Sequence, residues 1–262
     1  MARYKLTLAY DGSSFVESQR QAAPKTAGSR LSRSRTVQGE LERALQKLGW
    51  SGRSVIMSGR TDTGVHATGQ VVAVDLDWSH ADDRLIQALN STLPADVAVW
   101  SAQVVHENFH PRFDATARLY RYTVFCQALR DPLRERFAWR LWPAINASVL
   151  ADAAQQFLGT HDFSAFGSAT TPRGTTVRTI MKAEWLQVKE NEWHFEVQAD
   201  AFLYRMVRRL VFVQVAVAQG KVSEQAVANS LAKHFPAGER SGLPSGLAPA
   251  HGLTLVEVKY NK

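Results

Sequence analysis

An α+β fold in two similar halves is what this sequence predicts, with mostly antiparallel sheets covered by helices. Three observations carry that reading. The strand-like segments alternate between apolar and polar residues over long stretches, as a sheet with one buried face requires, instead of forming short all-apolar runs. Amphipathic helices with capping residues follow such segments in both halves of the chain. The periodicity breaks near Phe109–Asp114, at Pro111, which divides the chain into residues 1–110 and residues 111–262.

The elements follow in order. Tyr4–Tyr10 alternates with period two and stops at Asp11-Gly12, a strand and its turn. Ala22 to Arg35 has no hydrophobic period and reads as a loop; its cations Lys25, Arg30, Arg33 and Arg35 are joined by no acid. Thr36 is placed to cap a helix that puts Val37, Leu41, Ala44, Leu45 and Leu48 on one face. A strand at Val55–Met57, a loop over Ser58–Thr68 and a strand at Gln70–Leu76 come next. Arg84–Leu93 reads as a helix ending near Pro94, and Val97–Val105 as a strand. In the second half Arg118–Cys126 alternates like a strand, and Asn146 caps a helix carrying Val149, Leu150, Ala153, Phe157 and Leu158. Gly159 stands where a left-handed residue closes that helix. Two strands flank the turn Glu190-Asn191-Glu192, and a long helix from about Phe202 to Gln219 is closed by Gly220. A shorter helix follows Ser223, and Leu253–Tyr260 alternates as a last strand.

Composition bounds the partners. At 262 residues and 45% hydrophobic, the chain can bury a full core. Lysine and arginine outnumber aspartate and glutamate by 31 to 24, and the net charge of +7 favours a polyanionic partner such as nucleic acid. Cys126 is the one cysteine, which excludes an intramolecular disulfide and a multi-thiolate metal site. The start Met1-Ala2-Arg3-Tyr4-Lys5 runs into a strand without a signal-peptide pattern, so a cytoplasmic chain is expected. Val207–Ala218, the most apolar stretch, is too short to span a bilayer and predicts a buried helix with no membrane contact.

The stretch Gly59-Arg60-Thr61-Asp62-Thr63-Gly64-Val65-His66-Ala67 is the most informative in the chain. It joins two strands, with glycines on both sides of the polar residues. A carboxylate beside Arg60 on a loop tip is what a positioned nucleophile looks like, yet local chemistry alone favours an ordinary polar hairpin connection. His106-Glu107-Asn108-Phe109-His110 matches the HExxH pattern of zinc proteases. That chemistry needs both histidines on one helix face, whereas Val97–Val105 before them reads as a strand and Pro111 disfavours helix at His110. A zinc hydrolase is therefore the weaker reading, and no metal is expected.

The run from Gly59 to Val72 closely resembles the active-site motif of the TruA family of tRNA pseudouridine synthases. Further blocks resemble that family in its own order: Tyr10-Asp11-Gly12-Ser13, Thr36 through Glu42, Phe109-His110 with Arg112 through Ala115, Arg118 through Tyr122, Gly159 through Phe163, Phe202 with Met206-Val207-Arg208, and Gly252 through Leu255. The resemblance implies a pseudouridine-synthase-like fold and conversion of uridine to pseudouridine at tRNA positions 38 to 40, by a homodimer without a cofactor. It makes Asp62 the nucleophile, and Tyr120 the aromatic face of the pocket for a flipped base, with Leu253 closing that pocket. Arg208 matches the arginine that accompanies the catalytic carboxylate, where a guanidinium favours the ionised form. Arg60 is assigned to the RNA, filling the gap left by the base or binding its phosphate. The basic stretch carrying Lys25, Arg30, Arg33 and Arg35 follows a block that resembles an RNA-facing turn, so these cations are expected to contact RNA. Tyr122, two residues beyond Tyr120, is expected to face away from the pocket into the core, and His66 to be structural.

Three positions depart from the family pattern. Glu17-Ser18 replaces a glycine-tryptophan pair before Gln19, the basic stretch is long, and Phe212 stands where a small glycine is usual. They are expected to bear on target choice and loop placement without touching the nucleophile. A non-catalytic RNA-binding protein or chaperone on the same fold is the alternative, and the presence of Asp62, Tyr120 and Arg208 together gives it no support.

Overall fold

The computed structural model describes residues 1–19, 35–171, 174–236 and 241–261, and groups the chain into two compact units. Lys25, Arg30 and Arg33 lie outside the described residues. The first unit comprises Met1–Thr116 together with the chain from Leu255 onward, and the second Ala117–Thr254.

In the first unit, β1 (Ala2–Tyr10) pairs antiparallel with both β3 (His66–Leu76) and β4 (Val97–Val105). A short β2 (Ile56–Met57) adds to β3, and the order β4-β1-β3-β10 is completed by β10 (Leu253–Tyr260). Alternation along β1 sends Tyr4, Leu6, Leu8 and Tyr10 into the core and leaves Arg3, Lys5, Thr7 and Ala9 partly open. The same core takes Leu41 and Leu45 from α1 (Val37–Lys47) and Leu85 and Leu89 from α2 (Asp82–Thr92). Each such leucine contributes roughly 1.5–3 kcal/mol by leaving water. Thr36 caps α1 by accepting from the Gly39 N–H at 3.1 Å.

In the second unit, the order is β5-β9-β8-β7, from β5 (Ala115–Cys126), β9 (Glu192–Ala199), β8 (Val177–Lys189) and β7 (Gly159–Asp162). These neighbours are antiparallel, and only the short β6 (Trp139–Leu141) runs parallel, beside β5. The helix α3 (Ala147–Gln155) packs on β8 and on α4 (Met206–Ala218), and α5 (Glu224–Leu231) follows Ser223. Asn146 and Ser223 cap α3 and α5 as expected. The stretch read as too short for a membrane is α4, buried on most of its circumference, and no helix of the described residues is long and apolar enough to cross a bilayer.

Some elements differ from the expectation. Strand β3 starts at His66 because Ala67 already pairs with Tyr10 across a register shift in β1, so the motif loop is shorter than read. Helix α3 ends at Gln155; Phe157 lies beyond it, in contact with the Phe163 and Phe166 rings. The long helix starts at Met206, not Phe202, because Arg205 holds a left-handed φ of 62° and Tyr204 bridges Ser168. Strands β6 and β7 carry three and four residues, too few for an alternation to register. Gly159 and Gly220 do adopt positive φ, 96° and 69°, where closing glycines were expected.

Candidate active site

Asp62 sits half-buried on the β2–β3 loop of the first unit. Its carbonyl accepts the Val65 N–H at 3.1 Å, and the turn passes through Gly64 at φ 79°. The residues before it are fixed from below. Thr61 is buried, and its hydroxyl shares a 2.9 Å hydrogen bond with that of Tyr10. Gln70, fully buried on β3, donates to the Gly59 carbonyl at 3.0 Å and accepts from Ser58 Oγ at 2.6 Å. Such a network is costly unless satisfied, and here its members hold one another. Burial pushes the Tyr10 phenol above its ordinary range, so it stays neutral and able to hydrogen-bond.

The residues after Asp62 are fixed as well. Thr63 Oγ1 donates to the Val16 carbonyl. His66 is buried, its Nδ1 receiving the Gly12 N–H at 3.0 Å and lying 3.1 Å from Asp11 Oδ1. Gly12 has no alternative, because a Cβ there would fall 2.0 Å from the Val65 carbonyl oxygen. The loop is therefore pinned on both flanks of Asp62, while the exposed Arg60 reaches Gln19 Oε1 at 2.9 Å.

Ser18 does not touch Asp62, but it braces the residue beside it. It is buried, its Oγ accepts the Thr61 N–H at 2.8 Å, and its own N–H donates to the Thr61 carbonyl at 3.3 Å. The position that carries tryptophan in the family pattern here holds the backbone of the residue next to Asp62. Gln70 escaped the sequence reading, as did the contact of Ser18 with Thr61, 43 positions on; a polar residue at an inward position of a strand, as Gln70 is, was the available signal.

In the second unit, Tyr120 lies half-buried on β5, its ring edge-on to Phe202 at 5.1 Å. Tyr122 is fully buried, but strand residues two apart share a face, so it lies on the same side of β5 as Tyr120. Nor is it inert filling. Its hydroxyl donates to the Pro249 carbonyl at 2.7 Å, and the ring passes so close to Gly252 that a Cβ there would lie 2.6 Å from it. Burial drives this phenol well above its ordinary range, with the charge of Arg208 pulling the other way.

Arg208 projects from α4 and donates from Nε to the Ala248 carbonyl at 2.8 Å, while the Ala248 N–H returns to the Arg208 carbonyl at 3.1 Å. Arg209 donates to the carbonyls of Pro244 and Gly246, and Phe212 packs so closely on Gly246 that a Cβ there would lie 2.4 Å from its ring. The larger residue at 212 thus has a glycine to receive it. Together these contacts hold the segment that leads through a 3₁₀ turn, Ala250–Gly252, to the buried Leu253. Arg208 from α4 and Tyr122 from β5 thus hold the segment that leads to Leu253, and the sequence reading had placed Tyr122 only in the core.

Other candidates resolve differently. Arg35 spends its guanidinium on carboxylates, at 2.6 and 2.8 Å to Asp96 and 2.7 Å to Glu40, and lies over the Phe15 ring. Those partners, Asp96 first, raise its affinity for its proton. The HExxH segment is a turn and not a helix, and both its histidines accept backbone N–H groups through Nδ1. The zinc-protease arrangement of two ligands on one helix face is not formed.

Comparison with known proteins agrees with this picture. A family profile described as tRNA pseudouridine synthase matches residues 7–114 and 153–261, spans that include Asp62, Arg208 and Leu253 but not Tyr120. The tRNA pseudouridine synthase A of Shouchella clausii is 39% identical over 263 residues, covering 100% of this chain and 95% of its own. That of Solidesulfovibrio magneticus is 40% identical over 266 residues, at 99% and 92% coverage, and that of Bacillus subtilis 36% over 262 residues, at 99% of both. With a profile over most of its length and full-length relatives at this identity, the chain belongs to the tRNA pseudouridine synthase family.

Proposed function

We propose that the chain isomerises uridine to pseudouridine in the anticodon arm of tRNA, at positions 38 to 40, with Asp62 as nucleophile. The observation that carries the assignment is the pinning of the loop on both flanks of Asp62, which presents one carboxylate on a fixed backbone. The reaction breaks the N1–C1′ bond, turns the base, and joins C5 to C1′; a proton leaves C5 and N1 takes one up. Electrons and groups balance within the nucleotide, so the chemistry asks only for a carboxylate that adds, to the base or to the ribose carbon, and leaves again.

The remaining roles follow the resemblance. Tyr120 offers the flipped uracil a ring to lie on, Leu253 closes the pocket, and Arg208 is the arginine that accompanies the catalytic carboxylate. Arg60 meets the RNA. The active form is a homodimer in the cytoplasm with tRNA as its partner. Transcripts in which each uridine at 38, 39 and 40 is replaced by cytidine test the target; modification that persists when all three are replaced contradicts it.

The basic stretch carries its own expectation. Changing Lys25, Arg30 and Arg33 to alanine should weaken tRNA binding and flatten its dependence on salt, by roughly 0.7–0.9 logarithmic units for each cation that meets a phosphate. Arg35→Ala should instead lower thermal stability, by on the order of 1 kcal/mol, since it strands Asp96 and leaves Glu40 with Arg43 alone. Binding lines across a salt series that superimpose for the triple variant and wild type would move the RNA contact elsewhere.

A further inference from the structure

The turn between β4 and β5 is built more firmly than a connection needs. Within it, the His110 N–H donates to Asp114 Oδ2 at 2.8 Å, and His110 Nδ1 receives the N–H groups of Arg112 and Phe113, both at 3.2 Å. From outside, Arg3 donates to the Phe109 carbonyl at 3.2 Å, Tyr260 Oη donates to that of Pro111 at 2.8 Å, and the Tyr260 ring packs on Phe109 at 5.1 Å. On this fixed base Phe113 is 75% exposed. It is also oriented: one face of its ring stacks on the His110 imidazole, 4.2 Å between centroids and 27° between planes.

A phenyl ring held out in water forgoes the burial that phenylalanine ordinarily gains. With His110 behind it, the ring shows solvent a single open face, about the area of one nucleobase and far below the ~800 Å² per partner of a stable protein interface. The neighbouring Arg112 is exposed, and the chain as a whole carries +7. Glu107 and Asp114 lie on the same turn, which argues against a phosphate clamp but not against stacking, since every base has a π-face whatever the local charge.

We propose that Phe113, backed by His110, is a stacking platform for one unpaired nucleobase of the tRNA, separate from the residues that do the chemistry. The inference rests on tRNA being the substrate. It also gives His110, half of a zinc motif that the fold does not form, a definite task.

The test uses the full-length protein and an unmodified tRNA transcript. Phe113→Ala should raise the tRNA dissociation constant roughly fivefold to a hundredfold with the salt slope unchanged, because stacking releases no counterions. Phe113→Tyr and Phe113→Trp should restore affinity, Phe113→Leu should not, and saturated turnover should stay near wild type in all four. An affinity unaltered by alanine, or equal rescue by leucine and tyrosine, would overturn the platform. So would a Phe113→Ala protein that falls apart from a larger assembly while each subunit binds tRNA as before. Wild-type turnover measured alongside separates the two failures. With wild type active, an unaltered Phe113→Ala affinity removes the platform alone; with wild type inactive, the substrate reading falls and the platform with it.

Discussion

Asp62→Asn is expected to lower pseudouridine formation by at least ~10⁴-fold, as removal of a nucleophile does elsewhere, while the tRNA dissociation constant changes little. The amide keeps the shape of the carboxylate and loses its ability to add to carbon. The surrounding loop should survive the change, because its hydrogen bonds to Ser18, Tyr10, Gln70 and Val16 involve Thr61, Gly59 and Thr63. Quantifying pseudouridine by nuclease digestion and mass spectrometry, beside a filter-binding titration, reads both halves. A mutant that still turns over at more than about a hundredth of the wild-type rate would remove Asp62 from the nucleophile's role.

Gly12→Ala should produce the second largest effect without touching any reacting group. Its new methyl group would fall 2.0 Å from the Val65 carbonyl oxygen and 2.5 Å from the carbonyl carbon, both backbone atoms that cannot swing away as a side chain can. The loop must move, and Val65 is bonded to the Asp62 carbonyl, so the carboxylate moves with it. Overpacking of this kind costs about 1–3 kcal/mol of stability. Displacing a catalytic group by about an ångström costs on the order of a hundredfold in rate. The expected result is a folded protein with lowered melting temperature, kcat reduced about a hundredfold and tRNA affinity largely kept. Wild-type kcat in this variant would show that the loop's position does not set the reaction.

Where local rules govern, the fold was legible in the residues. Strand β1 alternates from Tyr4 to Tyr10 as read, and Thr36, Asn146 and Ser223 cap their helices through their own side chains. What escaped reading depends on residues distant in sequence. Arg35 looked like one more cation of a basic run, but its carboxylate partner Asp96 lies 61 positions away. Ser18 was read as part of a departure bearing on target choice and loop placement, and it bonds Thr61, 43 positions on. Tyr122 was read as core, and it is, but its hydroxyl holds Pro249, 127 positions on, a contact no local pattern encodes. The motif loop itself was informative only through its resemblance to a family; its residue types alone describe an ordinary polar connection. The structure adds the physical reason for its composition, with Gly64 supplying a left-handed turn, Thr61 and Thr63 anchoring each side, and His66 locking the start of β3.

One measurement separates an enzyme from an RNA-binding protein on the same scaffold: multiple-turnover release of tritium from an unmodified tRNA transcript labelled at uridine C5. Moving the glycosidic bond to C5 expels the hydrogen there, so each isomerisation frees one label, and no binding event or chaperone activity can. With tRNA in large excess over protein and no added metal or cofactor, the account predicts release that continues for many equivalents per subunit. It predicts that the released label equals the pseudouridine mapped in the anticodon arm, and that Asp62→Asn releases none above background. Intact label in tRNA that the wild-type protein demonstrably binds would contradict the account and leave the chain as a binder of RNA.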